Sequence, residues 1–92
     1  MKNLLEEAKA LFEKHELPES LNLVNEYLAN DKDNVVALLL KARIQYKLQR
    51  WGEAMNEYHA VLDIDPDNKE AKSGLEMAKS ILGYFTPDMF NP

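Results

Sequence analysis

The chain has 92 residues, of which 46% are apolar and none is cysteine, so it is a single packed domain without disulfide bonds or a cysteine-ligated zinc site. Its 16 acidic and 11 basic residues give a net charge of −5, which disfavours a nucleic-acid partner. No apolar run reaches the roughly 20 residues that span a bilayer, and acids at Glu6 and Glu7 interrupt any signal-peptide core, so we expect a cytoplasmic protein that does not contact membranes.

The first 34 residues have the pattern of two amphipathic helices separated by a break. Apolar residues recur at spacings of three and four: Leu4, Ala8 and Leu11 in the first helix, and Leu21, Val24 and Leu28 in the second. Pro18 follows the break and suits the first turn of the second helix, where its missing N–H costs nothing.

Residues 35–68 repeat this arrangement. Shifting the chain against itself by 34 residues gives nine identical pairs without a gap: Leu4/Leu38, Leu5/Leu39, Ala8/Ala42, Glu19/Glu53, Asn22/Asn56, Leu28/Leu62, Asp31/Asp65, Asp33/Asp67 and Asn34/Asn68. The segments 30–34 and 63–68 are rich in Asn and Asp, which form turns and cap helix N-termini. The sequence therefore predicts two tandem helical hairpins, repeat one over 1–34 and repeat two over 35–68.

A third period begins at Lys69 but contains one helix only. Its apolar stripe consists of Ala71, Leu75, Ala78, Leu82 and Phe85. We predict a capping helix over residues 69–83, ended by Gly83 and unable to continue through Pro87. Residues 84–92 form an aromatic tail that is too apolar to stay free in water, and we hypothesise that it folds back onto the fifth helix or docks on a second copy.

These features resemble the tetratricopeptide repeat (TPR) family, which has the same 34-residue period. The residues that carry the resemblance are Ala8, Ala42, the stretch Trp51-Gly52-Glu53-Ala54, Tyr58 and the step Asp65-Pro66. The first repeat is more degenerate, since Ser20 replaces an alanine and Lys32 a proline. The resemblance implies an all-α fold: an α-solenoid of two helix-turn-helix repeats plus a capping helix, five helices in all.

The family usually has glycine in the turn between the two helices of a repeat, where this chain has His15 and Gln49. We expect both residues to adopt the left-handed conformation, at a cost of roughly 1 kcal/mol each. Trp51, just after the second of these turns, is expected to wedge the two helices of its own repeat.

Members of the family bind ligands in a concave groove lined by the first helix of each repeat, which implies a protein or peptide as partner here. The predicted lining is Lys2, Leu5, Lys9, Phe12 and Glu13 from the first repeat, Val36, Leu39, Arg43, Tyr46 and Lys47 from the second, and Glu70, Ser73, Met77 and Ser80 from the cap. Cations beside apolar surface suit an acidic peptide or a chain-terminal carboxylate. The alternative is an ordinary solvated helix face.

No catalytic, cofactor or metal site is expected. The chain has two histidines in different repeats and lacks a phosphate-binding glycine loop. Asp63–Asp67 resembles the start of a calcium loop, but Asn68 and Gly74 stand where such a loop needs glycine and glutamate. The family's chaperone-binding clamp is also absent, because Leu5, Lys9, Leu40, Glu70 and Gly74 occupy its five positions. We therefore expect an interaction module and not an enzyme; the alternative is a homodimeric scaffold that assembles through its open N-terminal face and its tail.

Overall fold

A computed structural model describes the backbone of residues 3–85 and the side chains of residues 3–83. It contains five helices: α1 (Leu4–Glu13), α2 (Leu17–Asn30), α3 (Val35–Lys47), α4 (Trp51–Ile64) and α5 (Lys69–Phe85). The described residues form no strand. The predicted all-α architecture of two hairpins and a fifth helix is therefore confirmed. The predictions for Lys2 and for the fold-back or docking of the tail concern parts of the chain outside the described residues.

Asparagine side chains begin the first helix of each period. The Asn3 side chain accepts hydrogen bonds from the Leu5 and Glu6 amides. Asn34 Oδ1 accepts from the Ala37 amide at 3.0 Å, and Asn68 Oδ1 accepts from the Ala71 amide at 2.9 Å. Each bond satisfies an amide that has no partner within its own helix. The inter-repeat turns therefore supply the N-caps that the sequence predicts.

The turn inside each hairpin has the left-handed residue predicted for it. His15 has φ 61° and Gln49 has φ 62°. In each turn the following amide reaches back five residues, from Glu16 to the Leu11 carbonyl and from Arg50 to the Gln45 carbonyl, both at 2.9 Å. This is the Schellman arrangement, which ends one helix and directs the chain into the next. Its recurrence shows that the two hairpins have the same type of turn between their helices.

Two apolar clusters form the core, and α3 contributes to both. One cluster joins the first hairpin to α3 through Ala8, Val24, Ala37, Leu40 and Ile44. The other joins the second hairpin to α5 through Leu38, Leu39, Ala42, Ala54, Tyr58, Val61, Ala71 and Leu75. α3 is thus the shared wall between the two halves of the domain.

Small residues allow the helices to approach closely. Ala8 and Ala42 are fully buried, as the repeat pattern predicts. Ser20, also fully buried, donates a hydrogen bond from its hydroxyl to the Ala8 carbonyl at 2.7 Å. α4 and α5 approach each other closely at Gly74, where a Cβ would overlap the Tyr58 ring. The α4–α5 contact therefore depends on the absence of a side chain at Gly74.

Trp51 begins α4, and α5 extends beyond its predicted end. Trp51 is half-buried and meets Tyr46 edge to face, with ring centroids 5.0 Å apart, so it bridges the two helices of its own repeat as expected. The fifth helix ends at Phe85 and not at Gly83. Gly83 does not have a positive φ, so it continues the helix to Phe85.

We expect Gly74→Ala to destabilise the domain because its Cβ would overlap the Tyr58 ring. The free energy of unfolding, measured by urea denaturation, should fall by about 1–3 kcal/mol. Gly52→Ala is the matched control, since no atom lies within 4 Å of its Cβ. It should be neutral or stabilising by up to about 1 kcal/mol. Equal stabilities for the two variants would contradict the close approach of α5 to Tyr58.

We expect His15→Gly to stabilise the domain by up to about 1 kcal/mol, because glycine adopts the left-handed conformation without steric cost. The neighbouring Lys14 has φ −87° and is exposed, so Lys14→Gly should instead lower stability. Thermal and urea unfolding of both variants provide the measurement. A loss of stability in His15→Gly as large as that in Lys14→Gly would show that the left-handed turn carries no strain.

Candidate ligand-binding groove

An open cavity of about 370 Å³ lies where the first helices of the three periods face one another. Its lining consists of Phe12 from α1, Arg43, Tyr46 and Lys47 from α3, Tyr58 from α4, and Glu70, Ser73, Gly74 and Met77 from α5. A second hollow of about 290 Å³, lined by Glu76, Met77, Ser80 and Ile81, adjoins it along α5. Met77 belongs to both, so the two hollows adjoin at this side chain.

Apolar side chains dominate the walls of the cavity. Phe12 and Tyr46 are half-buried, while Met77 remains 55% exposed. Tyr46 is held in place by its edge-to-face contact with Trp51. A methionine this exposed in a cavity that two aromatic rings also line offers a flexible apolar contact to a ligand. The walls are thus built to exclude water from an apolar side chain.

The side of the cavity toward α4 is formed by Tyr58, whose side chain packs under the backbone of α5. The ring can lie there because Gly74 has no side chain. Burial raises the pKa of the Tyr58 hydroxyl, and the negative charge of Glu70 raises it further. Tyr58 is therefore neutral at physiological pH and contributes polarity without charge.

Arg43 and Glu70 form an ion pair across the groove between α3 and α5. Arg43 Nε and Nη2 each donate to one carboxylate oxygen of Glu70, both at 2.5 Å. Hydrogen bonding to Glu70 raises the pKa of Arg43. This two-point geometry is the strongest that an arginine makes with a carboxylate. The pair ties the cap to the second repeat, and its two charges cancel.

Of the two cations that line the cavity, Lys47 is the one that forms no salt bridge with any described residue. The ion pairs found among the described residues join Lys41 to Glu57, Arg43 to Glu70 and Lys72 to Asp67. Lys47 Nζ instead lies 5.6 Å from the centroid of the Phe12 ring, which is within cation–π range. Its side chain is exposed, so its charge is available to a ligand.

The structure brings most of the predicted groove residues together. Phe12, Arg43, Tyr46, Lys47, Glu70, Ser73 and Met77 line the cavity, and Ser80 lines the adjoining hollow. Leu39 is instead a core residue, 9% exposed, in the same cluster as Ala71 and Leu75 of α5. Leu5 packs against the other core cluster, and Lys9, Glu13 and Val36 lie outside the cavity lining.

Two lining residues, Tyr58 and Gly74, were not predicted as groove residues. In the sequence Tyr58 is one of the residues that carry the family resemblance, and in the structure it also belongs to the core cluster that joins the second hairpin to α5. Gly74 is an isolated glycine inside a helical pattern, a signal for close approach of another group, and that signal could have indicated its role.

The described residues hold no group of three or more His, Cys, Asp and Glu side chains placed to bind a metal. Asp65 and Asn68, from the segment that resembles a calcium loop, hydrogen-bond each other at 3.2 Å beside the start of α5. Within the described part of the chain, every helix is too short or too polar to span a membrane.

The family profile described as tetratricopeptide repeat matches residues 3–78, which include both hairpins and the first part of α5. The chain therefore belongs to the tetratricopeptide repeat family, as its period, turns and helix pairing indicate. Comparisons with curated proteins and with solved structures gave no match. Tetratricopeptide repeats generally mediate protein–protein interactions, and the family is a non-enzymatic interaction fold.

Proposed function

We propose that this protein is a cytoplasmic adaptor that binds a segment of another protein in the groove formed by α1, α3 and α5. The observation that carries the proposal is the open cavity bounded by Phe12, Tyr46 and Met77, which belong to three successive first helices. Apolar surface that stays exposed in a concave site is typical of a binding surface.

The rigidity of the surrounding fold also supports binding. The cavity walls stand on helices whose ends are fixed by Asn caps and Schellman turns. The Arg43–Glu70 pair further holds α5 against α3. A ligand that binds to helices held in this way has to order less of the protein, which lowers the cost of association.

The chemistry at the cavity suits recognition more than catalysis. Its charged groups are a mutually neutralised pair, Arg43–Glu70, and the exposed Lys47. Among the described side chains, neither His15 nor His59 lines the cavity. An aromatic and aliphatic wall beside the exposed Lys47 provides affinity and orientation for a peptide.

A homo-oligomeric scaffold is the second candidate, and the exposure of α1 favours it. Ala8 is the only buried residue of this helix, and Leu4, Leu5 and Leu11 each remain partly exposed. Assembly through this face would make the average mass from light scattering rise with protein concentration in the micromolar range. A constant monomer mass would leave the adaptor function as the proposal.

The groove is tested by selecting ligands from a random-peptide phage library on the wild-type chain. Selected peptides are then measured with Met77→Lys, which places a charge in the cavity wall. We expect binding to weaken by about tenfold or more, because the apolar contact is lost at the centre of the site. Titration can be followed by the fluorescence of Trp51, the single tryptophan, which contacts Tyr46 in the cavity wall.

Ile64→Lys is the matched control for this test. Ile64 is 42% exposed on α4, comparable to Met77, but it does not line the cavity. Affinity should change by less than about twofold, as is usual for surface substitutions away from a site. Equal losses in the two variants, or unchanged binding in Met77→Lys, would place the binding surface elsewhere and contradict the proposal.

A further inference from the structure

We propose that the groove recognises a partner segment in which a large apolar side chain lies within two residues of an aspartate or glutamate. In this arrangement Lys47, and not Arg43, binds the carboxylate. The inference rests on the proposed function and specifies the chemistry of the ligand.

Arg43 is already committed to an intramolecular carboxylate. Both hydrogen bonds to Glu70 are short, and together they use one complete edge of the guanidinium group. An incoming carboxylate would have to displace Glu70 or share the arginine with it, and like charges at such a distance repel. The Arg43–Glu70 pair therefore acts as a neutral strut of the groove.

Lys47 has the opposite properties. It is exposed, lines the same cavity, and has no acidic partner within salt-bridge distance in the described part of the chain. Its contact with the Phe12 ring positions the ammonium group without using all three of its N–H donors. A ligand carboxylate can thus bind Lys47 while the cation stays over the ring.

The apolar part of the ligand has room beside this cation. Roughly 150 Å³ is enough for an enclosed apolar cavity to hold a benzene molecule. The open cavity here is about 370 Å³ and its walls include Phe12, Tyr46 and Met77. Because Lys47 belongs to the same lining, the anchoring side chain and the carboxylate must be close in the ligand. Extended chains advance about 3.3–3.6 Å per residue, so a separation of one or two residues fits.

Charge along the groove also gives the ligand a direction. Lys47 lies at the main cavity, whereas Glu76 lines the adjoining hollow on α5 and has no ion-pair partner within the described residues. An acidic residue of the ligand is attracted by Lys47 at the main cavity and repelled by Glu76 at the adjoining hollow. The net charge of −5 opposes an acidic ligand at long range, so the attraction that holds its carboxylate has to come from a local cation such as Lys47.

The experiment uses the peptides selected from the random library on the full wild-type chain. We expect them to carry Asp or Glu within two positions of Phe, Tyr, Trp, Leu or Met. One such peptide is compared with its Asp→Asn or Glu→Gln form on wild type, where the acidic form should bind about fivefold more tightly. Lys47→Gln should remove this preference and leave the affinity for the amide form unchanged, whereas Lys47→Arg should retain it.

The control is the double variant Arg43→Gln with Glu70→Gln, which removes the strut's two charges together. It should keep the preference for the acidic peptide. Loss of the preference in this variant, or an equal preference in wild type and Lys47→Gln, would overturn the assignment to Lys47. Selected peptides without the acidic and apolar pattern would also overturn it, while the groove itself stands if Met77→Lys weakens them.

Other occupants of the groove give distinct results. If the double variant Met89→Ser with Phe90→Ser bound the peptide about tenfold more tightly than wild type, the chain's own C-terminal segment would be the occupant and the proposal would fail. A concentration-dependent mass in light scattering that disappears in Met77→Lys would assign the groove to a second copy and likewise overturn it. If peptides bind but Met77→Lys does not weaken them, the proposed function itself fails.

Discussion

The burial of α3 on two sides is the constraint on which the rest of the structure depends. Its residues Leu40 and Ile44 pack toward the first hairpin, while Leu38 and Ala42 pack toward the second and toward α5. A hairpin with one apolar face cannot cover that face alone. Because α3 is common to both clusters, the two repeats form one cooperative unit, and only a narrow strip of α3 remains for a ligand.

That strip explains how the site is built. Arg43, Tyr46 and Lys47 are the α3 residues that line the cavity, and they all lie in its second half. In the first half, Leu38 and Leu39 belong to the core cluster that includes Ala71 and Leu75 of α5, and α5 is held in place by the Gly74–Tyr58 contact and by the bond of Glu70 to Arg43. The capping helix therefore both completes the core and forms one wall of the groove.

Much of the fold could be predicted because its causes are local or periodic. The 34-residue period predicts the two hairpins, and Asn34 and Asn68 predict where helices begin. His15 and Gln49, which stand where the family usually has glycine, predict the strained turns. Helical periodicity shows which face of α3 carries Leu39, and this face predicts a place in the groove. It does not show that Leu39 joins the same core cluster as Ala71 and Leu75 of α5. Arg43 and Glu70, which pair across two helices, are 27 positions apart in the sequence, and no local pattern specifies such a contact. Gly83 shows why the end of a helix is hard to predict, since glycine permits a helix to end without requiring it.

The uneven burial of α1 has a thermodynamic consequence. This helix buries Ala8 completely and its three leucines only in part, so few fully buried contacts oppose its local detachment. It also supplies Phe12 to the cavity and, through that ring, holds Lys47 in position. Anything that binds between Phe12 and Met77 therefore favours the docked form of α1 by mass action. Binding of a ligand in the groove and docking of the N-terminal helix are therefore coupled, and each favours the other.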